Sequence, residues 1–62
     1  MDIAQAIKSY RAKHSLTQRE LADKLGVSAM QIMRWENNKT QPNILSTKAL
    51  QSLGVLHEEK TV

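Results

Sequence analysis

The chain contains no cysteine among its 62 residues, so neither a disulfide nor a thiolate metal site can stabilise it. Phenylalanine is also absent, and Tyr10 and Trp35 are the only aromatic residues, so the hydrophobic core is expected to be mostly aliphatic. No apolar run approaches the roughly 18 residues that a membrane span needs, and the N-terminus lacks a signal-peptide pattern. The sequence therefore predicts one small cytoplasmic domain with no membrane partner.

The charge balance is mildly basic. Nine basic and six acidic residues give a net charge of +3. Such an excess is compatible with binding to a polyanion, but many small soluble domains are equally basic without a nucleic-acid partner. Charge alone therefore decides nothing about function.

Apolar spacing and capping residues predict a helix at each end of the domain. The first runs from about Ile3 to Lys13, with Asp2 as its cap and Gln5 as the reciprocal partner. The last begins after Pro42-Asn43, carries Leu45, Ala49, Leu50 and Leu53 on one stripe, and closes at Gly54, with Val55 and Leu56 opening a further turn.

Two shorter helices are predicted between them, in residues 18–25 and 28–37. Thr17 and Glu20 form a capping box at the start of the first, and Gly26 ends it in a left-handed conformation. Ser28 caps the second, with Gln31 as the reciprocal partner. One residue separates Gly26 from that cap, so the two helices must cross steeply. This is the layout of a helix-turn-helix.

The residues at these positions resemble those of a known family. The matching residues are Leu16-Thr17-Gln18, Glu20-Leu21-Ala22, Leu25-Gly26-Val27-Ser28, Ile32, Trp35-Glu36, Asn37 and Pro42. The chain is similar in them to the Cro/C1-type helix-turn-helix family, also called the xenobiotic-response-element family, which includes lambdoid phage repressors and Cro proteins. The resemblance implies an all-α fold, a compact lambda-repressor-like bundle of four to five short helices over residues 1–56. Residues 57–62 are expected to be a frayed tail.

The resemblance also implies where DNA would be contacted. The helix over residues 28–37 would enter the major groove and read bases with Ala29, Met30 and Arg34. The side chains expected at the DNA backbone or its flanks are Thr17, Gln18, Ser28, Gln31, Asn37, Lys39 and Thr40. In the family, Arg11 and Glu36 pair in a partly buried ion pair that would orient the reading helix.

Each of these residues has an ordinary structural alternative. Met30 fits either a thymine methyl group or the core, and Gln31 fits either DNA or its capping role. Gln18, Arg34 and Lys39 are also residues that a solvated surface would carry. We interpret Trp35 as a core anchor rather than a residue that stacks on bases.

No combination of residues suggests catalysis. His14 and His57 lie far apart in the sequence without a ligand cluster, and neither glycine belongs to a phosphate-binding loop. A bundle this small is expected to leave little room for a pocket of about 300 Å³ or more. We therefore expect no enzyme activity, no metal, no cofactor and no small-molecule ligand.

The sequence favours a double-stranded DNA-binding transcriptional regulator, with repressor as the expected role. A bacterial or phage origin and association with the nucleoid are expected. A weak homodimer on DNA is left open, because many members of the family continue into a fifth helix that supports dimers. The alternative is a protein interaction module on the same fold. Met30 and Met33 support that alternative, since flexible methionines suit adaptable protein surfaces.

Overall fold

Four helices form the domain in a computed structural model that describes residues 2–56. Helix α1 spans Ile3–His14, α2 spans Gln18–Leu25, α3 spans Ala29–Glu36 and α4 spans Ile44–Leu53. No strand occurs within the described residues, so the all-α prediction is confirmed. The predicted tail, with His57, lies outside the described residues. None of the four helices is long and apolar enough to cross a bilayer.

Every helix begins at a side-chain cap. Asp2, Thr17, Ser28 and Asn43 each accept a hydrogen bond from a backbone N–H in the first turn of the helix that follows. The capping box at Thr17 and Glu20 is complete, as predicted. The box predicted at Asp2 is incomplete, because the Asp2 side chain accepts from the Gln5 backbone N–H but no return bond to the Gln5 side chain is found anywhere in residues 2–56. The Gln5 side-chain amide donates to the hydroxyl of Ser9 at 3.3 Å.

Every helix also ends in the same way, with one residue in the left-handed conformation. These residues are Ser15, Gly26, Asn38 and Gly54, with φ between 54° and 95°. In each case the following N–H bonds back to a carbonyl five residues earlier, at 2.8–3.0 Å, which is a Schellman closure. Gly26 and Gly54 were predicted to end helices. Ser15 was not, because serine is an uncommon choice for this conformation.

The core lies where the four helices meet and is mainly aliphatic. Its fully buried members are Ile7, Leu21, Ile32 and Leu50, and Trp35 is 4% exposed. Trp35 is therefore a core anchor, as interpreted from its spacing. Val55 and Leu56, each 6% exposed, follow Gly54 and close the core without forming a further helix.

One predicted core position is wrong. Leu45 is 78% exposed, and its neighbour Ile44 is 74% exposed. Leu50 is the residue of α4 that enters the core. Because successive residues of a helix are about 100° apart, Leu45 lies roughly 140° around the helix from Leu50. The shared stripe predicted for these two leucines does not exist.

Candidate nucleic-acid interface

The turn between α2 and α3 sets the orientation of the third helix. Gly26 has a φ of 74°, a conformation that glycine adopts without steric penalty. The N–H of Val27 bonds to the carbonyl of Ala22 at 3.0 Å, and its half-buried side chain packs against the core. Ser28 then caps α3 by accepting from the Gln31 N–H at 3.2 Å. This short, anchored link holds α3 firmly against α2.

The inner and outer faces of α3 are well separated. Ile32 is fully buried and Trp35 nearly so, whereas Met30 and Met33 are 56% and 42% exposed. Arg34 is also exposed, and Ala29 is half-buried. Of the two interpretations left open for Met30, packing in the core is therefore wrong. Met33 lies mainly on the outer face.

Gln31 presents its side chain to solvent. Its backbone N–H donates to Ser28, but no hydrogen bond from the Gln31 side chain returns to Ser28 among the described residues. The capping box predicted here is thus only half formed. The amide of Gln31 has no such structural task in the described part of the chain.

A carboxylate lies buried behind the outer face of α3. Glu36, at the last residue of α3, has a side chain that is 4% exposed and accepts three hydrogen bonds. Arg11 Nε donates to Oε2 at 2.6 Å, Arg11 Nη2 donates to Oε1 at 3.1 Å, and Gln18 Nε2 donates to Oε1 at 2.9 Å. One carboxylate therefore connects α1, α2 and α3.

The charges of this cluster stabilise one another. Burial acts to raise the pKa of Glu36, but the hydrogen bonds from Arg11 and Gln18, with the positive charges of Arg11 and Lys8, outweigh it and lower that pKa. The hydrogen bond to Glu36 raises the pKa of Arg11 further above its already high value. Arg11 also donates to the carbonyl of Leu16 at 3.1 Å, which ties the α1–α2 link to the same cluster. The ion pair expected between Arg11 and Glu36 is present.

Gln18 differs from the simple surface residue that was one of its two interpretations. It is half-buried, and one N–H of its amide is committed to Glu36. An amide nitrogen carries two N–H groups, so a second donor remains at the start of α2. Sequence reasoning missed this third member of the cluster because Gln18 and Glu36 lie 18 positions apart.

The end of α3 places a cation on the loop that follows. Lys39 N–H bonds to the Arg34 carbonyl at 2.8 Å, which completes the closure around Asn38. At the other three closures the equivalent residue is apolar, namely Leu16, Val27 or Val55, and packs on the core. Lys39 is exposed instead, as are Asn37 and Thr40 beside it. Thr17 and Ser28, also expected to flank DNA, are exposed at helix starts.

A groove of about 470 Å³ lies elsewhere, between α1 and the turn after α4. Tyr10, His14 and Val55 contribute to its lining, and the Tyr10 hydroxyl donates to the carbonyl of Leu53 at 3.5 Å. This volume exceeds the roughly 300 Å³ of a small ligand pocket. The expectation that so small a bundle leaves little room for a pocket is therefore wrong. Within residues 2–56, no three His, Asp or Glu side chains lie together as a metal site would require.

Comparison with known proteins agrees with the helix-turn-helix formed by α2 and α3. Residues 7–51, which run from α1 into α4, match a family model described as Helix-turn-helix. The chain is also 44% identical, over 54 residues, to an uncharacterized HTH-type transcriptional regulator from Methanocaldococcus jannaschii. That alignment covers 86% of this chain and 82% of the relative. No solved structure gives a significant match.

Proposed function

The chain belongs to the Cro/C1-type helix-turn-helix family, and on that premise we propose that it is a sequence-specific, double-stranded DNA-binding regulator of transcription that acts as a repressor. The observation that carries the proposal is the outer face of α3. There Arg34 and its neighbours are exposed on a short helix whose opposite face is fixed in the core. The name of the relative supports the regulatory role.

In this proposal α3 lies in the major groove, where some side chains contact bases and others contact the phosphate backbone. Arg34 forks onto the O6 and N7 atoms of a guanine, and Ala29 and Met30 contact neighbouring base edges. Gln31 contacts DNA at the margin of the groove. Thr17, Gln18 and Ser28 at the helix starts, and Asn37, Lys39 and Thr40 after α3, contact the phosphate backbone. Contacts of this second kind position the domain but carry no sequence information.

The cluster of Glu36, Arg11 and Gln18 supports the proposal indirectly. It fixes the end of α3 and the start of α2 relative to each other through hydrogen bonds of 2.6–3.1 Å. Gln18 thereby has its amide oriented before DNA arrives. We propose a cytoplasmic, nucleoid-associated protein of bacterial or phage origin, without catalytic activity, that binds as a weak homodimer on paired half-sites.

Two matched variants test whether Arg34 contacts bases while Lys39 contacts the phosphate backbone. Binding is measured by fluorescence anisotropy on the preferred duplex, recovered by selection, and on a scrambled duplex, over a series of salt concentrations. Arg34→Ala is expected to remove about 1–3 kcal/mol of discrimination at one base pair. Lys39→Ala is expected to weaken both duplexes alike and reduce the salt slope by about 1. Equal behaviour of the two variants would contradict the proposed roles.

The alternative function is a protein interaction module on the same fold. The exposed methionines of α3 and the exposed Ile44 and Leu45 of α4 favour it, because they are the large apolar side chains exposed within residues 2–56. A protein of this kind would bind duplex DNA only weakly, and equally well with or without the preferred sequence. The same anisotropy series distinguishes the two functions.

A further inference from the structure

The outer face of α3 is divided between apolar side chains and side chains that form hydrogen bonds. Its exposed side chains are Met30, Gln31, Met33 and Arg34, and of these only Gln31 and Arg34 can form hydrogen bonds of ordinary strength. Met30 lies one turn from both Met33 and Arg34, since residues three and four apart are neighbours on a helix. Met30 and Met33 therefore form an apolar patch on one side of this face, and Arg34 and Gln31 lie on the other side.

Base edges in the major groove offer one apolar group, the C5-methyl of thymine. The other groups there are hydrogen-bond donors and acceptors, which an apolar side chain would strip of water without replacing its hydrogen bonds. A methyl group at C5 of cytosine would present the same apolar surface. The patch thus favours pyrimidines that carry a C5-methyl group and disfavours positions without one.

We propose that Met30 and Met33 make α3 a reader of C5-methyl groups, so that the domain recognises thymine by its methyl group and binds more tightly where cytosine is methylated at C5. The inference rests on the proposed function and adds Met33 to the residues that determine specificity. From Met30 to Arg34 the helix rises about 6 Å, and base pairs are stacked about 3.4 Å apart. The methyl-bearing pyrimidine therefore lies within about two base pairs of the guanine bound by Arg34.

The test uses the preferred duplex with single atomic changes. Each thymine of a half-site is replaced in turn by deoxyuridine, which removes only the methyl group. One or two positions per half-site are expected to lose about fourfold in affinity, the effect of withdrawing one methyl group from an apolar contact. At the same positions, a 5-methylcytosine–guanine pair is expected to bind about fourfold more tightly than an unmethylated cytosine–guanine pair.

Variants assign the effect to the methionines. Met30 and Met33 are 56% and 42% exposed, so Met30→Ala and Met33→Ala are expected to fold, which circular dichroism checks. In the double variant the ratio of affinities for thymine and uracil duplexes is expected to fall towards one. Met30→Leu, which keeps an apolar side chain, is expected to retain that ratio. Lys39→Ala is the control that weakens binding but leaves the ratio unchanged.

The outcomes separate this inference from the proposed function. Sequence-specific binding with no response to uracil at any position overturns methyl recognition and leaves the DNA-binding function standing. A response that persists undiminished in the double methionine variant assigns the methyl contact to another residue and likewise overturns the inference. Absence of sequence-specific binding overturns both.

Discussion

The buried carboxylate of Glu36 makes the contribution of Arg11 to stability large enough to measure. In Arg11→Met, Glu36 loses two of the three hydrogen bonds recorded for it and keeps the 2.9 Å bond from Gln18. Its negative charge then lies in a side chain that is only 4% exposed. Removing one partner of a buried pair destabilises a protein by roughly 3–5 kcal/mol. Because the Arg11 side chain is 24% exposed, the lower end of that range, about 3 kcal/mol, is expected.

The stability lost in Arg11→Met is a large fraction of the domain's free energy of unfolding. A domain of 62 residues is expected to have a free energy of unfolding of roughly 3–9 kcal/mol. Glu36→Leu is expected to be milder, at about 1–2 kcal/mol, because the stranded Arg11 can reach water and keeps its bond to the Leu16 carbonyl. The double variant removes both charges, so it should be more stable than Arg11→Met alone, which requires a coupling energy of about 2–3 kcal/mol.

Urea denaturation at pH 7 measures these differences, followed by circular dichroism and by the fluorescence of the buried Trp35. Arg19→Met is the matched control, because Arg19 is exposed and no ion pair is recorded for it within residues 2–56. Its effect is expected to stay within about 0.5 kcal/mol. Should the double variant lose the sum of the two single losses to within about 0.5 kcal/mol, the cluster would not act as a unit.

Two further predictions concern Glu36 and the left-handed residues. Because the folded state lowers the Glu36 pKa, the stability it contributes is complete above the ordinary glutamate pKa of about 4.3 and disappears as the pH falls through the lower folded value. Melting temperatures measured from pH 6 to pH 2 should therefore fall less in Glu36→Gln than in the original chain, and parallel curves would contradict this. Ser15→Gly should stabilise the domain by up to about 1 kcal/mol, and Asn38→Gly by less, since asparagine tolerates a positive φ better than serine. Urea midpoints compare the two variants, and a larger gain at Asn38 would refute the ranking.

Local signals in the sequence predicted most of the helix boundaries, because residues that cap or end a helix lie at those boundaries. Thr17 and Glu20 indicate a capping box, and Gly26 indicates a helix end in the left-handed conformation. Neither prediction needs information from the rest of the chain. The bounds of α2 follow from these residues alone, whereas α3 is one residue shorter at each end than the predicted helix over residues 28–37. The end of α1 was predicted one residue short, since Ser15 carries no such signal.

Tertiary contacts account for what the sequence did not predict. The apolar spacing of α4 allowed Leu45 on the core stripe, and only packing against the other helices selects Leu50 instead. The link from Gln18 to Glu36 depends on the approach of α2 to the end of α3, which no short-range pattern encodes. The exposure of Met30 was likewise undecided from the sequence, and the structure shows that Ile32 and Trp35 fill the inner face of α3 and leave Met30 outside.

We infer above all that this domain recognises a particular sequence of duplex DNA. Selection of the protein against randomised duplexes at about 0.15 M salt tests it most directly. We expect enrichment of two half-sites about one helical turn apart, each with a guanine close to a thymine. A single enriched half-site would keep the DNA-binding function and remove the homodimer. No enrichment, with binding that is weak or merely sensitive to salt, would contradict the claim.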